Sequence, residues 1–144
     1  MAIKGQKGLR RAILTISVIN GFTGLVCGAL LMIRPDGALM GLGVVIPVLH
    51  RTPVLGDVFF RNLLWVGVVM FAGLGVPGTI AAALTLKKKD QQYHLQSLAG
   101  ILLVFWCVAE LFLLPNPAVL FYLVVGLFQV GAARYLVGKL RLWS

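Results

Sequence analysis

The chain has 144 residues, of which 60% are hydrophobic and only 12% charged, with a mean hydropathy of +0.98. A soluble domain of this size cannot hide so much apolar surface, so lipid must be the solvent for much of it. A net charge of +9 would suit nucleic acid, but the basic residues stand in short clusters between long apolar runs, as topology signals do, and nucleic-acid binding is not expected.

The first predicted span, residues 12–33, follows Lys4, Lys7, Arg10 and Arg11 and is long enough to cross a hydrocarbon core about 30 Å thick. It exceeds the apolar region of a secretory signal and lacks a small-residue cleavage pattern. "RPDG" at 34–37 then makes a turn. The following "ALMGLGVVIPVL", residues 38–49, is apolar but too short to cross, and is expected in the outer interface or over the mouth of the bundle. Thr52 and Pro53 read as an N-cap with proline at the first helical position.

A second span, residues 58–86, is interrupted by "GLGVPG" at 73–78, which predicts a kink near Pro77, and it ends at Lys87, Lys88 and Lys89. The third, residues 95–114, stops at "PNP", where Pro115 and Pro117 cannot continue a helix and Asn116 favours a turn. The fourth, residues 118–137, follows a connection so short that spans three and four must be antiparallel neighbours. The reading is therefore all-α: a polytopic membrane protein, residues 1–144, built as one four-transmembrane-helix bundle with an outer interfacial segment between helices 1 and 2.

Ten of the thirteen basic residues fall on the side of the two termini, leaving Arg34, Arg51 and Arg61 on the other. The positive-inside rule puts both termini in the cytoplasm, with Tyr93 and Trp143 near the inner interface.

Membrane helices associate through small residues and a few polar side chains, which should share one stripe per helix. Span one offers Ser17, Asn20, Gly21, Gly24 and Gly28; span three Gln96, Gly100, Leu103, Cys107 and Glu110; span four Tyr122, Gly126, Gln129 and Ala133. In span two the compatible face is Arg61, Trp65, Val68, Ala72, Gly75 and Thr79. Gly24, Gly28, Gly100 and Gly126 read as helix-packing positions, and Asn20 and Gln129 as interhelical hydrogen-bonding groups. Cys27 and Cys107 lie inside apolar runs with no C-x-x-C and no histidine at ligand spacing, so no metal, redox motif or cofactor is expected.

One of only four acidic residues, Glu110, lies inside span three. An ionisable group within a span is expensive and must face the bundle and find a partner, which makes it the candidate site. The candidate partners and neighbours are Arg61, Arg34, Arg51, Asp57 and Trp106, with Arg61 first because it matches Glu110 in depth and is flanked by apolar residues. A structural ion pair and a ligand or ion site are both open readings of this cluster.

"LLMIRPDG", a short apolar loop, "TPV" and the later W-x-x-x-E of Trp106 and Glu110 together resemble small bacterial four-helix membrane proteins of the DoxX-like kind. The resemblance implies a four-helix bundle in a bacterial inner membrane and carries no reaction with it. Three functional readings follow. The first is a non-catalytic protein that binds a partner membrane protein, a second copy of itself, or a lipid-like ligand through the outer polar cluster. The second is a small transporter or channel subunit using Glu110. The third is a membrane enzyme acting on a lipidic or quinone substrate, although no nucleophile with a base, metal set or carboxylate pair is evident, so no catalytic residue is assigned.

Overall fold

Four long helices carry the chain in the computed structural model, which describes residues 2–44, 46–49, 51, 62–89 and 91–142. They are α1 (Ala2–Ile33), α2 (Leu64–Leu86), α3 (Gln92–Leu113) and α4 (Pro117–Leu142). Each contains a stretch long and apolar enough to cross a membrane. They form two antiparallel hairpins, α1 with α2 and α3 with α4, joined by α2 against α3 and by α1 against α4. The start of α1, the end of α4 and the three lysines share one end, called here the basic end. The turn around Asn116 and the segment after α1 share the other, called the far end.

Glycine sets the first hairpin. A Cβ added at Gly24 would lie 2.5 Å from the Gly75 backbone nitrogen, and one at Gly28 would lie 2.7 Å from the Gly67 carbonyl oxygen. Gly21 meets Gly78 and Thr79 in the same way. With lipid on the outside, burial of apolar surface does little to bring helices together, and backbone contact of this closeness supplies the packing instead. In the second hairpin, Gly100 lies against Val130, and Gly126 against Val104.

Helix α2 is not regular. Met70–Gly75 is a π-helical segment in which the Val76 N–H donates to the Phe71 carbonyl, five residues back. Pro77 explains its position: proline has no N–H for the Gly73 carbonyl and its ring crowds that turn, so the helix widens just before it. The predicted kink is thus a π turn. Gly67 and Gly75 are eight residues apart, which in a regular helix is about 80° off a common face. The extra residue taken up by the π turn brings both onto α1. For the same reason the predicted face of span two holds only at Gly75: Trp65, Val68, Ala72 and Thr79 are exposed, and the buried face is Gly67, Gly75, Gly78, Ala81, Ala82 and Thr85.

The helix ends follow local chemistry. Asn116 caps α4: its Oδ1 accepts from the Val119 N–H at 3.1 Å, with Pro117 at the first helical position. Lys88 closes α2 with φ 53°, the Lys89 N–H reaching the Leu84 carbonyl and the Lys88 N–H that of Thr85. This left-handed Schellman closure usually takes glycine. At the far end, Asp36 Oδ1 accepts from the Ala38 N–H at 3.0 Å, Gly37 takes φ 72°, and the Leu63 N–H donates to the Pro35 carbonyl at 2.8 Å. Met40 and Leu42 pack on Leu31 and Leu63, so this part of the interhelical segment lies over the bundle.

Two helices overrun the predicted spans, α1 beginning at Ala2 and α4 ending at Leu142. Arg10 shows why α1 continues. Its Nε donates to Gln92 Oε1 at 3.1 Å and its Nη2 to the Thr85 carbonyl, tying the helix to the turn between α2 and α3. Tyr93, in the first turn of α3, is buried against Ile13, Ala132 and Leu136. The Thr52–Pro53 start, Asp57, Arg61 and Trp143 lie outside the described residues.

Candidate functional site

A polar layer closes the bundle toward the basic end. Ser17 from α1, Thr85 from α2, Gln96 from α3 and Gln129 from α4 are each at most 1% exposed. The Ser17 hydroxyl donates to Gln96 Oε1 at 2.5 Å, and Gln129 Nε2 donates to the same oxygen at 2.8 Å and to Ser17 Oγ at 2.9 Å. Gln96 Nε2 donates to Thr85 Oγ1 at 2.9 Å. Four helices therefore exchange hydrogen bonds at one depth, and their register is defined there. The sequence stripes contained Ser17, Gln96 and Gln129; the parts played by Thr85 and Arg10 had no sequence signal beyond their residue type.

Beyond this layer the packing opens. Two clefts flank Glu110, of about 310 Å³ and about 200 Å³, and both are bordered by Met70, Trp106, Glu110 and Asn116. The larger lies under Met40 and Leu42, and its remaining walls, including Leu31, Leu63, Val66 and Leu113, are apolar. The smaller reaches deeper, to Asn20, Thr23 and Cys107. Met70 and Leu74 come from the π segment, so the irregular turn that aligns the glycines also shapes these walls.

Within the clefts, Trp106 and Glu110 stand one turn apart on the same helix, and both border each cleft. Asn20 Nδ2 is buried and has no hydrogen-bond partner among the described residues. It therefore differs from the expected interhelical bonding group, whereas Gln129 Nε2 donates to both Ser17 and Gln96. An unmet buried donor costs roughly 1–3 kcal/mol, which makes this amide a place where an acceptor would be favoured.

Of the candidate partners of Glu110, Arg34 pairs with Asp36 at 3.0 Å on the exposed far-end turn and Arg51 is an exposed turn residue. The preferred partner, Arg61, and Asp57 lie outside the described residues. Among the described residues the one salt bridge is Arg34–Asp36. Tyr122 borders the smaller cleft but is 42% exposed, at the edge of its predicted inward stripe. Cys107 is buried and Cys27 partly so, both as free thiols. Among the described residues no group of three His, Cys, Asp or Glu side chains could hold a metal.

The four apolar helices, closed by a bonded polar layer at one end and opened by clefts at the other, define a four-helix integral membrane protein. Comparison with family models, with curated proteins and with solved structures finds no match to this chain.

Proposed function

We propose that this is a non-catalytic protein of a bacterial inner membrane, with both termini cytoplasmic, that binds a lipid-like ligand in the paired clefts around Glu110. The observation that carries the proposal is the combination, in one place, of apolar walls, a carboxylate and the unpartnered Asn20 amide. Ligand sites are mostly apolar with a few convergent polar groups, and a volume of about 310 Å³ is at the lower end of their usual range. The ligand has an apolar part for the larger cleft and an uncharged or cationic hydrogen-bonding group for Glu110, because the carboxylate repels an anionic head. Its acceptor atom meets Asn20. The cytoplasmic placement of the termini rests on the ten-to-three distribution of basic residues.

Trp106 is a built-in reporter. In a Trp65→Phe, Trp143→Phe protein held in unbrominated detergent, a bromine-tailed monoacylglycerol should quench Trp106 saturably. Ala109→Phe, which fills the larger cleft, should abolish the saturable part. Quenching that rises linearly with probe and ignores Ala109→Phe would reject the site.

A second reading, a transport subunit, is favoured by one feature: Glu110, Asn20 and Ser17 place polar groups at successive depths, and Arg10 follows at the basic end. The mutually bonded layer of Ser17, Gln96 and Gln129 stands across that route. Proton or cation flux into liposomes that disappears with Glu110→Gln would place this reading first.

A further inference from the structure

We infer that the basic end carries a second binding site, specific for an anionic phospholipid, in the groove between α3 and α4 formed by His94, Ser97 and Arg134. The groove has a volume of about 520 Å³ and a floor of Leu98, Ile101, Val137 and Gly138. Its polar groups come from two helices: His94 and Ser97 from the opening turns of α3, Arg134 from two turns before the end of α4. Headgroup chemistry and acyl-chain chemistry are thus side by side near the basic end. Basic pockets between transmembrane helices recognise lipid phosphates in this way.

Charge complementarity names the occupant. Arg134 lies within the apolar stretch Pro117–Lys139, yet it is exposed and has no acidic partner among the described residues. Lys139 on the same helix is differently placed, its ammonium 5.8 Å from the centre of the Tyr135 ring. A guanidinium facing lipid needs an anion that lipid can bring, and a phosphodiester accepts its N–H groups as a bidentate pair. Ser97 supplies a hydroxyl and His94 a ring N–H to the remaining phosphate oxygens. The chains then lie along Leu98 and Ile101, which stand farther from the basic end than His94 and Ser97. Gly138, one turn nearer the basic end than Arg134, leaves room for the headgroup: an added Cβ there meets nothing within 4 Å.

That open space also supplies the test. The whole protein in neutral detergent is titrated with phosphatidylglycerol and, separately, with phosphatidylcholine of the same chains, and bound lipid is counted by native mass spectrometry. One phosphatidylglycerol should bind ahead of phosphatidylcholine, and Arg134→Gln should weaken it about fivefold. Gly138→Leu should block it without lowering the melting temperature, since Gly138 lines the groove and an added Cβ there meets nothing within 4 Å. Lys87→Gln with Lys89→Gln removes more charge at the same end and should leave the tight lipid in place. Inorganic phosphate should not displace it. Equal binding of the two lipids, retention in Gly138→Leu, or an equal loss in the lysine variant would each overturn the site, the last by showing only a diffuse attraction to the basic end. Displacement by inorganic phosphate would overturn the lipid as its occupant.

Discussion

Gln96→Leu removes the centre of the buried polar layer while keeping roughly the side-chain volume. Gln96 Oε1 accepts from Ser17 and Gln129, and Nε2 donates to Thr85 at 2.9 Å and, at 3.5 Å, to the Ala81 carbonyl. Three of these contacts are good interhelical hydrogen bonds, and at about 0.6 kcal/mol each, the average in membrane bundles, their loss costs roughly 2 kcal/mol. The penalty for stranded partners stays small. Gln129 still donates to Ser17, and Thr85, on a helix, can turn its hydroxyl to the Ala81 carbonyl one turn back. Ser17→Ala, which breaks two of the bonds, should cost about two-thirds as much. Ser17→Ala combined with Gln129→Leu should cost less than the sum of the two single changes, because one bond is shared. Unfolding in mixed micelles, followed by far-ultraviolet circular dichroism against denaturing detergent, measures each value. A neutral or stabilising Gln96→Leu, or strictly additive single losses, would refute the bonded layer and return Gln96 to a lipid-facing or water-exposed position.

Three further outcomes follow from local geometry. Gly24→Ala should destabilise the protein by about 1–3 kcal/mol, since its methyl would collide with the α2 backbone, whereas Gly131→Ala, with nothing within 4 Å, should be neutral or mildly stabilising; similar effects in the same micelle assay would contradict the α1–α2 contact. Lys88→Gly should stabilise by about 0.5–1 kcal/mol, because glycine takes φ 53° without strain, and a loss of stability would argue against the Schellman closure of α2. Asp36 should titrate below the ordinary carboxylate value of 3.8, owing first to the Ala38 N–H and then to Arg34. Its turn is therefore held above that range and released as pH falls through the lowered value. A carboxyl carbon-13 titration with a midpoint at or above 3.8, or one unmoved by Arg34→Gln, would be the contrary result.

The topology was legible because membrane crossing is a matter of run length and hydropathy, and Pro115, Asn116 and Pro117 mark the last turn with residue types that have few other uses. The packing glycines of α1 were legible for the same reason: their three- and four-residue spacing survives in a regular helix. On α2 the spacing misleads. Gly67 and Gly75 share a face only because the π turn before Pro77 takes up a residue, and a periodicity read at 100° per residue then selects Trp65 and Val68, which face outward. Gln96 and Gln129 were recognisable one by one as polar residues in spans. That they meet Ser17 and Thr85 at one depth depends on the register of the four helices against one another, which the tertiary fold sets. The clefts were the least visible part. Glu110 was legible as a candidate, but Met40, Leu42 and the side chains of the π segment reach the clefts beside it through the tertiary fold, and the unpartnered state of the Asn20 Nδ2 appears only once its described neighbours are placed.

Binding of a ligand beside Glu110 is tested most directly by an experimental density map of the protein purified in lipid nanodiscs from its native membrane, at a resolution that separates side chains from bound lipid. Ligand binding predicts an elongated non-protein feature along Leu31, Val66 and Leu113 whose polar end lies between Glu110 and Asn20. The same feature should be missing from Ala109→Phe. Clefts closed by repacked side chains in the purified protein, with Asn20 bonded to a neighbouring helix and Glu110 satisfied by a cation of the protein itself, would contradict it and leave the carboxylate with a structural role.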